Sequence, residues 1–137
     1  LNYFATMFMG ILDPVSGHLA YINAGHTPCF IIGSDGALKA RLKSTGPAVG
    51  MLPGVEFKIS LAVIEPGDTL FTYTDGVPEA RNPNREFFGE KRVLELLAEP
   101  IQSAAGLLER TEATLLNFIG TADQFDDITM LIARRQP

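Results

Sequence analysis

Two acidic positions are the strongest candidates for chemistry in this sequence. Asp75 follows directly on the apolar segment 70–74, and Asp126 lies shortly before the apolar segment 128–133. A carboxylate at a strand end is held by rigid backbone yet faces solvent, and hard cations such as Mg²⁺ and Mn²⁺ prefer oxygen ligands of this kind. If the two strands belong to one sheet with these ends together, we expect Asp75 and Asp126 to share an ion.

The same positions have a purely structural interpretation. Asp-Gly, as in Asp75-Gly76, is one of the commonest turn pairs, and an Asp-Asp pair such as Asp126-Asp127 is typical of a solvated loop before a strand. Spacing alone therefore supports only an α+β domain, with a divalent-cation site as one alternative.

The first half of the chain predicts strands. Short apolar segments alternate with turns rich in Gly, Pro and Asp, which indicates two hairpins, over residues 3–23 and 28–42. Segment 55–63 alternates with a period of two and predicts a half-buried strand, and segment 69–74 predicts another. The apolar side of segment 55–63 consists of Val55, Phe57, Ile59, Leu61 and Val63.

The second half predicts two helices and a last strand. One helix begins near Glu90 and ends before Pro100, and Phe87-Phe88 just ahead of it are expected to anchor it to the sheet. The second helix has Ser103 as its N-cap and Gly120 as its stop. A strand within residues 128–133 follows. Strands, two helices and one returning strand indicate an α+β layered fold, a single domain over residues 1–137.

Composition argues against several classes of function. The formal net charge is −5, and basic residues cluster only in pairs, which argues against nucleic-acid binding. The pair Arg134-Arg135 is interpreted as a solvated tail. No apolar stretch approaches the roughly 20 residues of a membrane span and no signal peptide is visible, so we expect a cytoplasmic protein without membrane insertion. Cys29, the single cysteine, lies in an apolar run and is expected to be a buried small side chain.

Five segments carry a family resemblance. In chain order they are Asn-Ala-Gly-His-Thr-Pro (23–28), Pro-Gly-Asp-Thr-Leu (66–70), Tyr-Thr-Asp-Gly-Val-Pro-Glu-Ala-Arg-Asn (73–82), Phe-Phe-Gly-Glu (87–90) and Gln-Phe-Asp-Asp-Ile-Thr-Met (124–130). Together they resemble the SpoIIE/RsbU-like branch of the PPM-type metal-dependent serine/threonine phosphatases. The resemblance implies a β-sandwich with flanking helices, of which this chain lacks the N-terminal part. It also implies hydrolysis of phosphoserine by a water bound to Mn²⁺ or Mg²⁺.

The resemblance assigns roles to individual residues. Asp75 and Asp126 match metal ligands. Asp127 matches a residue that supports a ligand or forms the turn, and Gly76 lets backbone approach the site closely. His26 has two interpretations: a general acid for the leaving alkoxide, or a histidine that donates to backbone and fixes its turn. Arg81 also has two interpretations: a guanidinium that binds the oxygens of the substrate phosphate, or a solvent-exposed surface arginine.

One family motif has no match in this chain. The upstream Asp-x-x-Gly-x-Gly of the family supplies an aspartate that bridges two metals, and the segment 13–17 resembles it only superficially because it lies inside a hairpin. We therefore expect half of a binuclear site and incomplete catalysis by this chain alone. Two alternatives to the enzyme are a catalytically inactive phosphatase-like protein-binding module and a purely structural fragment.

The resemblance also implies partners. Family members act on phosphorylated anti-sigma-factor antagonist proteins of the STAS type and so take part in partner switching that regulates a sigma factor. A sandwich without its upstream part is expected to expose a sheet edge and an apolar face. Such surfaces pair with other chains, so we expect self-association through the first strands.

Overall fold

The computed structural model describes residues 3–137 and shows two sheets and two helices in that part of the chain. In chain order the elements are β1 (Met7–Leu12), β2 (His18–Ala24), β3 (Cys29–Ile32), β4 (Leu38–Leu42), β5 (Ser60–Val63), β6 (Thr69–Tyr73), α1 (Gly89–Leu97), α2 (Ala104–Ile119) and β7 (Met130–Arg134).

The elements stack in three layers. A three-stranded sheet has the order β1-β2-β5, a four-stranded sheet has the order β4-β3-β6-β7, and every pairing within them is antiparallel. One core lies between the sheets and includes Tyr21, Ile31 and Leu70. A second core, which includes Phe71 and Leu97, lies between the four-stranded sheet and the helices. The predicted α+β sandwich with flanking helices is confirmed.

The turn between β1 and β2 explains why Asp13 is not a ligand candidate. Its carboxylate accepts hydrogen bonds from Val15 N at 2.9 Å and from Ser16 Oγ at 2.8 Å, as an aspartate does when it closes its own turn. Gly17 ends the turn at a φ of 79°, a left-handed conformation that glycine adopts without strain.

Strand β5 corrects two predictions. Only Ser60–Val63 forms a strand, so the prediction of a strand over residues 55–63 is too long. The side of the strand that faces the core is also the opposite of the predicted one, because Leu61 is 78% exposed while Ala62 faces the other sheet. The register places Leu19 opposite Ala62 and Tyr21 opposite Ser60. Large side chains on β2 fill the space between the sheets, which leaves room only for small ones on β5.

The helices begin and end close to where the sequence predicts. Ser103 Oγ accepts the N–H of Gly106 at 3.0 Å, and Gly120 follows Ile119 at a φ of 55°. Phe88 is 2% exposed and anchors α1, whereas Phe87 is 52% exposed, so the prediction that both rings anchor the helix is wrong for Phe87. Strand β7 extends one residue past the predicted limit, to Arg134.

Arg135 is not part of a solvated tail. Its guanidinium donates to Val15 O at 2.6 Å, to Ser16 O at 3.1 Å and to Ile64 O at 2.8 Å. A planar group with five N–H donors suits a set of carbonyls that no strand partner satisfies. Arg135 therefore fastens the end of β7 to the β1–β2 turn, and the interpretation of the Arg134-Arg135 pair as a tail is wrong.

A buried aspartate stabilises the corner where the chain passes from one sheet to the other. Asp68 is 2% exposed, accepts the N–H of Glu65 at 3.1 Å and lies 2.7 Å from Lys39 Nζ. Lys39 also bonds Glu65 at 2.7 Å. The hydrogen bond to Asp68, followed by that to Glu65, raises the pKa of Lys39 above its usual range.

Two further features bear on expectations from composition. Cys29 is fully buried, and burial raises the pKa of its thiol to about 12, so it acts as a small apolar side chain. Within residues 3–137, neither helix has the length and hydropathy to cross a membrane.

Candidate metal centre

The ends of two neighbouring strands bring Asp75 and Asp126 together. Strands β6 and β7 pair antiparallel, with Tyr73 opposite Met130, so the end of β6 meets the beginning of β7. The pairing continues one step further, because Thr74 N donates to the carbonyl oxygen of Thr129 at 3.0 Å. The residues just beyond these pairs, after β6 and before β7, therefore lie at the same edge of the sheet.

A third carboxylate joins them from the turn after β6. The N–H of Glu79 donates to the carbonyl oxygen of Asp75 at 3.0 Å, which folds the chain back on itself. As a result, Asp75, Glu79 and Asp126 each offer an oxygen within 4.8 Å of the others, and all three residues are exposed. Sequence reasoning missed Glu79. The only signal for it was the spacing of four from Asp75, which is that of one helical turn.

Gly76 and Asp127 bring the two segments into contact through their backbones. A Cβ at Gly76 would collide with the carbonyl oxygen of Asp127 and would lie 2.9 Å from its carbonyl carbon. Asp127 donates its N–H to Asp126 Oδ1 at 2.7 Å and accepts from Thr74 Oγ1 at 3.4 Å. Asp127 therefore acts through its main chain, and its carboxylate is outside the acidic group.

His26 borders the site while also fixing its own loop. Its N–H donates to Asn23 Oδ1 at 2.9 Å, and its ring Nδ1 lies 2.9 Å from the carbonyl oxygen of Thr27. Because a carbonyl only accepts, Nδ1 carries the proton in this arrangement. His26 and Asp75 line the same cavity of about 90 Å³. The contacts expected of a structural histidine are present, and the position next to Asp75 keeps the acid role open.

Arg81 is held between two aromatic rings. Its guanidinium carbon lies 4.9 Å from the ring centroid of Phe87 and 4.6 Å from that of Phe125. The residue is half-buried, so the interpretation as a freely exposed surface arginine is wrong. Phe125 directly precedes Asp126, which connects Arg81 to the loop that carries this carboxylate.

The three carboxylates fit a hard divalent cation. Within residues 3–137 none of Asp75, Glu79 and Asp126 forms an ion pair with a lysine or arginine. Carboxylates this close repel one another unless a cation or a proton lies between them. Oxygen donors exposed to water are the ligands that Mg²⁺ and Mn²⁺ select, with water completing the coordination. The role of Asp75 and Asp126 as ligands stays a prediction, and Glu79 extends it.

Comparison with known proteins finds a family model and curated relatives that this sequence matches. The family model described as Stage II sporulation protein E (SpoIIE) matches residues 2–136. Protein IcfG of Synechocystis sp. is 48% identical over 132 residues, which are 96% of this chain and 21% of IcfG. Phosphoserine phosphatase RsbU of Bacillus subtilis is 26% identical over 135 residues, 98% of this chain and 40% of RsbU.

A solved structure shows the same fold. The SiaA-PP2C domain of Pseudomonas aeruginosa superposes with a TM-score of 0.72 and 27% identity, over 87% of this chain and 47% of that one. The chain thus spans less than half the length of each of these proteins. Its two sheets and two helices correspond to part of a PP2C-like α+β domain. Since the family model covers nearly all of its length, the chain belongs to the SpoIIE family.

Proposed function

We propose that this chain is part of a metal-dependent protein serine/threonine phosphatase and that its acidic edge holds Mn²⁺ or Mg²⁺. The observation that carries the proposal is the convergence of Asp75, Glu79 and Asp126, free of basic partners in the described residues, in a chain of the SpoIIE family. The chemistry that such a cation supplies is activation of water and neutralisation of phosphate charge.

The residues of the chain have distinct tasks in this proposal. Asp75, at the end of β6, and Asp126, at the beginning of β7, bind and orient the cation from two rigid strands, and Glu79 adds a third oxygen. In the doubly protonated ring, His26 would donate the proton on its other ring nitrogen to the leaving alkoxide, while Nδ1–H stays bonded to the Thr27 carbonyl.

The test is Mn²⁺ binding together with hydrolysis of a phosphoserine peptide by this chain. We expect calorimetric Mn²⁺ binding and weak Mn²⁺-dependent hydrolysis, because the family's bridging-aspartate motif has no match in these 137 residues. We expect both to fall below detection in Asp75→Asn, which removes a ligand oxygen and its charge. Asp123→Asn is the matched control, because Asp123 is exposed in the loop before β7 but lies outside the acidic group. Its binding and turnover should equal those of the wild type.

Two outcomes would redirect the assignment. Mn²⁺ binding that depends on Asp75 without any hydrolysis would favour the alternative function, an inactive phosphatase-like module that binds a partner. These 137 residues, tested by themselves, fit that alternative because they contain no match to the Asp-x-x-Gly-x-Gly motif. Absence of Mn²⁺ binding in the wild type would contradict the metal site itself.

The substrate is the finer part of the proposal. The relative RsbU bears the name phosphoserine phosphatase, and the family resemblance implies a partner-switching role. We therefore propose phosphoserine on an anti-sigma-factor antagonist of the STAS type as the substrate. In peptide competition, phosphoserine peptides should be cleaved in preference to phosphotyrosine peptides. Equal rates for both would contradict a phosphoserine enzyme.

The outer face of the three-stranded sheet supports self-association of the chain. Met9 is 55% exposed, Ile11 70%, Ile59 72% and Leu61 78%, and they come from the two edge strands and the segment just before β5. An apolar surface of this kind is stabilised when a second surface covers it.

The self-association proposal has a direct test in light scattering. We expect the wild-type chain to elute as a dimer or larger species, and Ile11→Lys to shift it towards the monomer by adding a charge to that face. Leu116→Lys is the control, because Leu116 is 56% exposed on α2, in the helical layer. A monomeric wild type at working concentration would contradict the proposal.

A further inference from the structure

We propose that Arg81 is a positioning residue that holds the loop carrying Asp126 at the end of β6 and thereby sets the cation affinity of the acidic group. The inference rests on the proposed function, since it concerns the same metal site. It assigns Arg81 a role that differs from both sequence interpretations, namely contact with substrate phosphate and free exposure to solvent.

The position of Arg81 is fixed by a short hairpin after β6. Arg81 pairs with Phe87 in an isolated antiparallel bridge, and Asn82 N donates to the carbonyl oxygen of Glu86 at 3.1 Å. Asn82 Oδ1 closes the turn by accepting the N–H of Glu86 at 2.9 Å. Phe87 is therefore held directly opposite Arg81, and its ring forms a fixed platform on one side of the guanidinium.

The second ring comes from the loop before β7. Phe125 is 68% exposed, and its ring covers the guanidinium at 4.6 Å. Arg81 Nε is buried without a hydrogen-bond partner in the part of the chain that the structure describes, so this nitrogen contributes no polar contact to the placement of the side chain. The geometry is that of cation–π stacking on both rings, which adds attraction beyond the contact area.

Ala122 packs against the helical core, and between it and Asp126 the described loop has few other attachments. Gln124 Nε2 donates to the carbonyl oxygen of Asp126 at 2.9 Å, and that bond lies within the loop. Bonds to β6 begin only at Asp127, which accepts from Thr74 Oγ1. Among the described residues, the Arg81–Phe125 contact thus joins the loop to the hairpin one residue before Asp126.

The three possible roles of Arg81 predict different changes in Mn²⁺ affinity when the residue is replaced. If Arg81 acts only through its charge, removing that charge should strengthen Mn²⁺ binding, because like charges repel. If Arg81 binds substrate phosphate, its loss should raise the KM for a phosphopeptide and leave Mn²⁺ affinity unchanged. If Arg81 positions the loop, its loss should weaken Mn²⁺ binding although a positive charge has gone.

The experiment measures Mn²⁺ affinity by calorimetry and amide hydrogen exchange of residues 123–127 in the metal-free chain. For Arg81→Met we expect about tenfold weaker Mn²⁺ binding, as fits the loss of two partly exposed cation–π contacts. We also expect faster exchange in these residues and a melting temperature lowered by only a few degrees, as fits a loss of this size. Phe125→Leu should reproduce the effect without a change of charge, and combining both variants should add little, because they remove the same contact.

The control is Lys91→Met, which removes a positive charge from a side chain that is 90% exposed on α1 and stacks on no ring. It should leave both readouts unchanged. Mn²⁺ binding as tight as in the wild type, or tighter, in Arg81→Met would overturn the inference, as would a change confined to KM. If the wild-type chain binds no Mn²⁺, the proposed function fails, and unchanged exchange in Arg81→Met would then show separately that Arg81 does not hold the loop.

Discussion

Replacing Gly76 with alanine is expected to abolish Mn²⁺ binding by the chain. The added Cβ would meet the carbonyl group of Asp127, with its carbon at 2.9 Å, and both sides of this contact are backbone. Backbone has no rotamer that relieves the clash, so the segment before β7 must move away from β6. Asp126 would move with it and leave the group formed with Asp75 and Glu79.

The effect of Gly76→Ala should be seen by calorimetry with Mn²⁺ and by chemical shifts of residues near Asp126. Gly54→Ala is the comparison, because a Cβ there meets nothing within 4 Å. Gly54 has a φ of 71°, so alanine strains the backbone at that position and costs about 1 kcal/mol of stability without touching the site. Gly76→Ala that keeps wild-type affinity would show that the two segments do not need this close approach.

Replacing Asp68 with alanine is expected to lower the free energy of unfolding by about 3 kcal/mol, since two hydrogen bonds to a charged and buried group are lost. The Glu65 N–H loses its acceptor, and Lys39 retains only its exposed bond to Glu65. The connection between β5 of one sheet and β6 of the other is thereby weakened.

Urea unfolding followed by circular dichroism measures this loss. The denaturation midpoint should fall while the m-value stays constant, because the surface exposed on unfolding hardly changes. Asp68→Asn should give an intermediate value, as it keeps an acceptor for Glu65 but loses the charge that faces Lys39. If Asp68→Ala unfolds within about 0.5 kcal/mol of the wild type, as surface substitutions do, the corner does not depend on this carboxylate.

Local chemistry explains what the sequence predicted well. The β1–β2 turn is encoded by Asp13, whose carboxylate caps its own turn, and by Gly17, which takes a positive φ. Ser103 marks the beginning of α2 for a similar reason. Asp75 and Asp126 could be placed together because each lies at the end of an apolar strand and the family resemblance relates the two segments.

The missed features depend on contacts between distant segments. A period of two predicts that Leu61 and Ala62 face opposite sides of the sheet, but the bulk of the side chains on β2 decides which of them faces inward. Arg135 is indistinguishable in sequence from a tail residue until the carbonyls of another turn lie beside it. Glu79 joins the acidic group only because a turn returns its backbone to Asp75.

The pairing of β6 with β7 has a consequence for the order in which the molecule forms during synthesis. Strand β6 is complete early, but its partner β7 follows only after both helices, and Asp75 and Asp126 lie about fifty residues apart in the chain. Closing so long a loop is slow compared with forming the hairpins of the first half. A nascent chain stalled on the ribosome before β7 emerges would therefore carry most of its secondary structure but no assembled acidic edge. The proposed metal site would therefore form only after β7 has paired with β6.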